Sequence, residues 1–331
     1  MLSPTKIETT YHRIKDYLHK TPILESSFFN KKYGHRIFFK YEGFQKVGAF
    51  KFRGAINALL SYQERHQKLP EKVVAFSSGN HAQAVSLACQ MLGVQARIYI
   101  PKFSSKTKII ATKSYGAEVI LSESRTDAEN AVKQDSQNGY YLIHPFDDND
   151  VLLGQGTSCY EALLELQEKN IIPDAIFATC GGGGWLSGSY LAKELLSPIS
   201  KIFGTEPSDA DDAYRSLQAG HIIALDSPSM TIADGARSTS VGQLTFEYLK
   251  KLDGLYTVSE QDIIYHTQWL NHILKVRVEP TSAVTMGGVV QYIQGLSDNT
   301  PQNILILLSG GNIDTPTEKI IWEQDYLTAL V

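Results

Sequence analysis

The sequence predicts an α/β protein built of two open, twisted parallel sheets with helices on both faces. Three observations carry this. Short β-branched runs alternate with amphipathic stretches, polar or glycine-rich loops follow several of those runs, and 331 residues suffice for about two domains. A composition 43% hydrophobic and 20% charged is that of a globular chain rather than a disordered one.

The first alternation opens with Val73–Phe76 as a strand, followed by a helix over His81–Leu92 with apolar residues at helical spacing. Then come a strand at Ala96–Ile100, a helix near Lys106–Lys113, a strand at Glu118–Leu121 and a helix from about Asp127. Tyr140–Ile143 closes this unit as a fourth strand. Strands joined by helical crossovers form a parallel sheet. A second alternation has strands at Ala175–Ala178, Lys201–Gly204 and Ile304–Leu308, with a helix over Gln261–Val276. The Pro/Asp-rich stretch His144–Asp148 marks a boundary. Two α/β domains are therefore expected.

Thirty-one basic against 35 acidic residues give a net charge of −4, so a polyanion such as nucleic acid is not an expected partner. The longest apolar runs, such as Asn303–Leu308, fall far short of the ~18 residues that span a bilayer. Met1–Lys6 leads into a polar helical pattern with no signal-peptide stretch, and a cytoplasmic location is expected. Cys89, Cys159 and Cys180 are scattered in apolar surroundings and read as reduced core residues.

In open α/β sheets ligands bind beyond the carboxyl ends of strands, and the unusual loops fall there. Gly181-Gly182-Gly183-Gly184-Trp185 follows a buried-looking strand and opens a helix, so successive main-chain N–H groups can converge on a phosphate. It is neither a P-loop, lacking Gly-Lys-Ser/Thr, nor a dinucleotide fingerprint. Four consecutive glycines cost too much chain entropy to be a tight turn alone. Ser309-Gly310-Gly311-Asn312 follows another apolar strand and offers a hydroxyl and close backbone approach. Ser77-Ser78-Gly79-Asn80-His81 enters a helix; it either caps that helix or binds a carboxylate at its start. Lys51 lies between Phe50 and Phe52, where apolar surroundings disfavour the ammonium and free the amine for Schiff-base chemistry; a lysine lying along the surface is the alternative. Glu206-Pro207-Ser208-Asp209-Ala210-Asp211-Asp212 supplies hard oxygen donors suited to magnesium or calcium, and equally reads as a solvated loop capping the next helix.

A phosphate site together with a Schiff-base lysine calls for pyridoxal phosphate. In their order along the chain these motifs resemble the fold-type II pyridoxal-phosphate enzymes, of tryptophan synthase β-like fold. The resemblance is to the branch of serine/threonine dehydratases, serine racemases and threo-3-hydroxyaspartate dehydratases, and it runs from about Thr21 to Asn312. It implies a large cofactor-binding domain of residues 1–71 plus 148–331 and a small substrate-carboxylate domain of 72–147, with Lys51 bonding the cofactor beside Phe50 and Asn80 meeting the ring's 3′-oxygen. Gly181, Gly182, Gly183, Gly184 and the Trp185 N–H would hold the phosphate, although relatives often carry Leu or Met at 185. Ser309 would face the pyridine nitrogen. Gly235 and Ser238 would line the pocket, and Ser77, Ser78, Asn80 and His81 would hold the substrate carboxylate. A divalent cation, magnesium or calcium, would bind Glu206, the Ala210 carbonyl and Asp212.

The implied reaction is elimination of the β-hydroxyl of L-serine, L-threonine or L-threo-3-hydroxyaspartate, followed by hydrolysis of the released enamine to a keto acid and ammonia. Lys51 would act as general base. Ser78 stands where simple threonine dehydratases carry Ala, and would supply the second acid/base group that inversion at Cα requires. Serine racemisation is thus a side or main activity, and a dedicated amino-acid racemase is an alternative. Arg125 is a candidate for a distal substrate carboxylate. The resemblance also implies a homodimer, and a nucleotide activator near Ser26, Ser27, Lys46, Gln83, Tyr115 and Lys275, with Val47 where a Thr is expected. β-Replacement enzymes differ in both the serine loop and the cradle. From another class, a non-catalytic small-molecule-binding α/β protein would leave Lys51 idle.

Overall fold

The computed structural model describes residues 1–77, 79–298 and 300–329. Its first half contains α1 (Lys6–Ile14), β1 (Ile23–Glu25), α2 (Ser27–Tyr33), β2 (Arg36–Tyr41), α3 (Lys51–His66), β3 (Lys72–Phe76), α4 (Asn80–Leu92), β4 (Gln95–Pro101), α5 (Lys106–Ser114), β5 (Glu118–Ser122), α6 (Arg125–Gln137) and β6 (Tyr141–Leu142). The second half contains α7 (Asn149–Glu168), β7 (Ala175–Thr179), α8 (Gly184–Leu196), β8 (Lys201–Pro207), α9 (Asp212–Ala219), α10 (Gln243–Leu249), β9 (Gly254–Val258), α11 (Glu260–Leu274), α12 (Pro280–Gln294), β10 (Asn303–Leu308) and α13 (Thr315–Ile321).

Two sheets result. The smaller has the order β5-β4-β3-β6 and is parallel throughout. Side chains alternate across its strands, so both faces need cover. Val73 and Ala75 pack with α3 and α4, whereas Val74 and Phe76 pack with Ala128 and Val132 of α6. The larger sheet has the order β1-β2-β10-β7-β8-β9. Ile176, Ala178, Leu305 and Leu307 meet α7 and α8 on one face; Phe177, Ile304, Ile306 and Leu308 meet α11 and α12 on the other. The cysteines are buried and unpaired as expected. Among the described residues no helix is long and apolar enough to cross a membrane.

One expectation needs correction: the larger sheet is not wholly parallel, because β1 runs antiparallel to β2 at the edge. Its three residues are too few to carry a periodicity, and their short connection through α2 needs no crossover. Strand β2 itself breaks the apolar pattern with Lys40, which is buried. Helices α7 and α8 approach so closely that a Cβ on Gly188 would lie 2.1 Å from the Leu152 carbonyl oxygen. Only glycine fits there.

The lysine in β2 belongs to a buried ionic network. Lys40 Nζ donates to Glu161 at 2.5 Å, and Arg53 donates to Glu42 at 2.7 Å and to Glu161 at 3.1 Å. Thr21 donates to Glu42 at 2.7 Å. Burial alone raises the Glu161 carboxyl, but Arg53 and Lys40 overcome it and hold the group at about 2. The network ties β2, α3 and α7 together, and its arginine sits two residues beyond Lys51. Replacing Arg53 by Met strands two buried carboxylates with one cation. A loss of about 3–5 kcal/mol in urea unfolding is expected, and a loss below about 1 kcal/mol would contradict this account.

Candidate active site

The carboxyl ends of β3, β7 and β10 open onto one cleft, as the parallel topology requires. Its void, open mouth included, is about 900 Å³, lined by Phe50, Lys51, Ser77, Asn80, His81 and Ser309 among others. Lys51 begins α3 at the cleft's wall. The chain leading to it is clamped against the loop after β10: Phe50 N–H donates to Ser309 O at 3.0 Å, and Gly311 N–H to Gly48 O at 3.1 Å. Val47 adopts φ 57°, a left-handed conformation costly for a β-branched residue, and its carbonyl accepts from Asn312 Nδ2 at 2.7 Å. Lys51 Nζ donates to the Pro145 carbonyl at 2.8 Å. Burial pushes its pKa down to about 8, against the opposing pull of the Glu279 charge. This favours the neutral amine over the solvated surface alternative.

The four glycines form a concave turn at the start of α8. Gly183 has φ +88°. A Cβ on Gly182 would lie 2.2 Å from the Phe146 ring, and one on Gly184 would lie 2.8 Å from the Phe146 backbone. Among the described residues, no acceptor is present for the N–H groups of Gly182, Gly183, Gly184 and Trp185. Thr245 Oγ1 braces the turn by donating to Gly182 O at 2.7 Å. Unpaired donors beside a helix N-terminus fit a phosphate. The Trp185 indole turns away from the turn, stacks on Phe50 with centroids 4.1 Å apart and donates to Ser158 at 2.7 Å. Gly235 closes the opposite wall, donating its N–H to Thr281 Oγ1 at 3.0 Å.

Between cradle and α4 lies a polar cluster. Ser309 Oγ donates to Glu279 at 2.7 Å, and Asn80 Nδ2 donates to the same carboxylate at 3.1 Å. Ser77 Oγ accepts from Gly79 N–H at 3.1 Å, and Ser238 is buried along the cleft wall. Ser78 lies outside the described residues. His81 is buried, and Nε2 lies 2.9 Å from the Ile143 carbonyl, a contact that needs the proton on that nitrogen. Burial, aided by the nearby Lys51 charge, lowers its pKa to about 3, so the ring is neutral and Nδ1 carries only a lone pair. What His81 can offer a carboxylate is its main-chain N–H in the first turn of α4.

Several residues here escape sequence reasoning. Glu279 precedes Pro280 at the start of α12, a pattern that reads as an ordinary helix start. Thr281 and the Pro145 carbonyl carry no motif. Lys108 of α5 pairs with Asp234 beside the cleft, linking the smaller-sheet unit to the larger one.

At the end of β8, Glu206 accepts from the Tyr214 N–H at 2.7 Å and the Ala213 N–H at 3.3 Å. Burial, with Asp212 adding to it, pushes Glu206 well above the carboxylate range, and burial raises Asp212 to about 7. Asp212 Oδ2 is buried without a partner among the described residues. No three His, Cys, Asp or Glu side chains come together as a metal group among the described residues. The site therefore offers two carboxylates, with the Ala210 carbonyl as the expected third ligand. Two buried carboxyl groups whose ionisation burial disfavours fit a hard cation, whose charge would offset that cost.

Against known proteins, residues 14–310 match the family described as pyridoxal-phosphate dependent enzyme. The chain is 41% identical over 306 residues to the L-threo-3-hydroxyaspartate ammonia-lyase of Saccharomyces cerevisiae, covering 92% of this chain and 91% of that one. It is 40% identical over 311 residues to the serine racemase of Schizosaccharomyces pombe, covering 93% of each. The crystal structure of the T.th. threonine deaminase superposes with a TM-score of 0.88 at 39% identity, over 95% of this chain and 99% of that one. With an amine-bearing cleft, a glycine cradle and a family match across most of its length, the chain belongs to the pyridoxal-phosphate dependent enzymes.

Proposed function

We propose that the protein is an ammonia-lyase that eliminates the β-hydroxyl of L-serine, L-threonine or L-threo-3-hydroxyaspartate as water, with serine racemisation as a side or main activity. The released enamine takes water back as it hydrolyses to keto acid and ammonia. The observation that carries this reading is the Lys51 amine, poised near neutrality between the glycine cradle and the first turn of α4. Gly181–Gly184 and the Trp185 N–H would hold the cofactor's phosphate, Phe50 would flank its ring, and Asn80 and Ser309 would meet its polar edges. When bound, pyridoxal phosphate withdraws electrons from the substrate's Cα and makes its proton removable.

The chain's own groups do the rest. With a pKa of about 8, the Lys51 amine is neutral in a usable fraction near neutral pH and takes the Cα proton as general base. Main-chain N–H groups in the first turn of α4, with Ser77 and Ser238, hold the substrate carboxylate, helped by the helix dipole. Phe50, Phe76 and Phe146 keep water from the cleft. Arg125 and Arg237 line it and would receive a second carboxylate, which supports a hydroxyaspartate substrate. Ser78 is assigned the proton donor on the opposite face of Cα. The same reading assigns a divalent cation to Glu206, Ala210 and Asp212, and a nucleotide activator to Ser26, Ser27, Lys46, Gln83, Tyr115 and Lys275. It also has the enzyme as a cytoplasmic homodimer, with residues 72–147 as a small domain closing on 1–71 plus 148–331. The Lys108–Asp234 pair supports such closure.

Supplied singly to cofactor-loaded protein, L-serine, L-threonine, D-serine and L-threo-3-hydroxyaspartate are expected to give keto acid and ammonia in at least one case; silence with all four refutes the lyase. Ser78→Ala is expected to spare elimination of L-substrates and depress racemisation. Equal loss of both would leave Ser78 with substrate binding alone. In cofactor-free protein an amine-selective reagent should label Lys51 half-maximally near pH 8, because the lowered pKa frees the amine earlier; a midpoint near 10.5 would contradict its burial. Chelation should lower the melting temperature, with magnesium or calcium restoring it, and Asp212→Asn should remove that response. A parent protein indifferent to chelator would eliminate the cation.

A further inference from the structure

We propose that Glu279 is a positioning residue that fixes which hydrogen-bonding face Ser309 and Asn80 turn toward the cofactor ring. This rests on the reading of the cleft given above. Glu279 is 1% exposed. Its carboxylate accepts from Ser309 Oγ at 2.7 Å, from Asn80 Nδ2 at 3.1 and 3.3 Å, and from the Asn312 N–H at 3.3 Å. Every one of these partners is a donor.

A hydroxyl has one proton. With that proton committed to Glu279, Ser309 has only lone pairs left for the ring nitrogen. Ser282 Oγ, 2.9 Å from Ser309 Oγ, can add only a proton of its own. A serine backed by a carboxylate accepts more strongly than an isolated one. Asn80 is fixed from both ends: Asn312 Nδ2 donates to its Oδ1 at 2.9 Å while Glu279 accepts from its Nδ2. Flipping the amide would set nitrogen against nitrogen and oxygen against carboxylate. The second N–H of Asn80 is thereby left as a donor for the ring's oxygen substituent. Glu279 thus makes one contact an acceptor and the other a donor.

The charged and titratable groups around it are Asp234, Lys108 of α5, Lys51 of α3 and Tyr41 of β2. Burial and Asp234 raise the Glu279 pKa, and Ser309, Lys108 and Asn80 draw it back.

The test records the visible absorption of the holoenzyme against pH for the parent, Glu279→Gln, Glu279→Asp, Ser309→Ala and the Ser309→Ala/Glu279→Gln double variant. Glutamine offers one oxygen where the donors now use two, and aspartate draws both oxygens back from Ser309. In Glu279→Gln the absorption midpoint should move to lower pH by about one unit, since a negative charge near the Lys51 linkage is gone. Its kcat should fall about tenfold with KM changed less than about twofold. Glu279→Asp keeps the charge, so its midpoint should stay near the parent's while kcat falls about tenfold through the lost Ser309 contact. That kcat decides alone if the Gln variant does not fold. In the Ser309→Ala background the Gln substitution should cost less than half its usual loss of kcat. A parental midpoint in folded Glu279→Gln or a parental kcat in Glu279→Asp, even with a lowered melting temperature, overturns the proposal, as does full additivity with Ser309→Ala. Parent protein that shows no cofactor absorption overturns the underlying reading as well.

Discussion

Moving a lysine ammonium out of water into a cleft between two sheets is unfavourable, and the architecture around Lys51 holds it there. The amine sits at the N-terminal end of α3, where the helix dipole also disfavours positive charge. A single main-chain carbonyl, that of Pro145, accepts from it, and Glu279 supplies the opposing charge. Upstream, the strained Val47 is pinned by Asn312; downstream, Arg53 is locked between Glu42 and Glu161. A residue clamped on both sides keeps its geometry when a ligand arrives, which is what a preorganised base requires.

The cleft's other demands are of opposite sign and lie on neighbouring strand ends. After β7 the glycine turn presents donors without acceptors among the described residues, and after β8 the Glu206–Asp212 pair presents buried carboxyl groups. Cys180 stands between them, its N–H donating to Thr205 O at 2.7 Å and its thiol pushed well above the ordinary range by burial and then by Glu206 and Asp212. The parallel topology places both at carboxyl ends of adjacent strands, so a phosphate and a cation can each be met without crossing the core.

Much of this is legible in the sequence because the loops are short, compositionally extreme and fixed to strand ends. Four glycines, a serine–glycine turn and a lysine flanked by phenylalanines each carry a physical reason visible without coordinates. Strand β2 is hidden because Lys40 interrupts its apolar run, and only its pairing with Glu161 across 121 positions explains how a lysine can be buried. Glu279 is hidden because a glutamate before a helix-initiating proline is commonplace; its meaning lies in three donors brought from two separate segments. The Pro145 acceptor is main chain and leaves no trace in residue type. His81 is legible as a site residue but not as a neutral ring whose Nε2 contact is Ile143 O, which transfers its role to the backbone. Trp185 makes sense only once its stack on Phe50 is seen.

The account's central claim is that one particular amine carries the cofactor. Borohydride reduction of the holoenzyme followed by peptide mapping tests it most directly. The phosphopyridoxyl mass should appear on the peptide containing Lys51 and vanish in Lys51→Ala. Modification of a different lysine, or of none in protein supplied with pyridoxal phosphate, would contradict it.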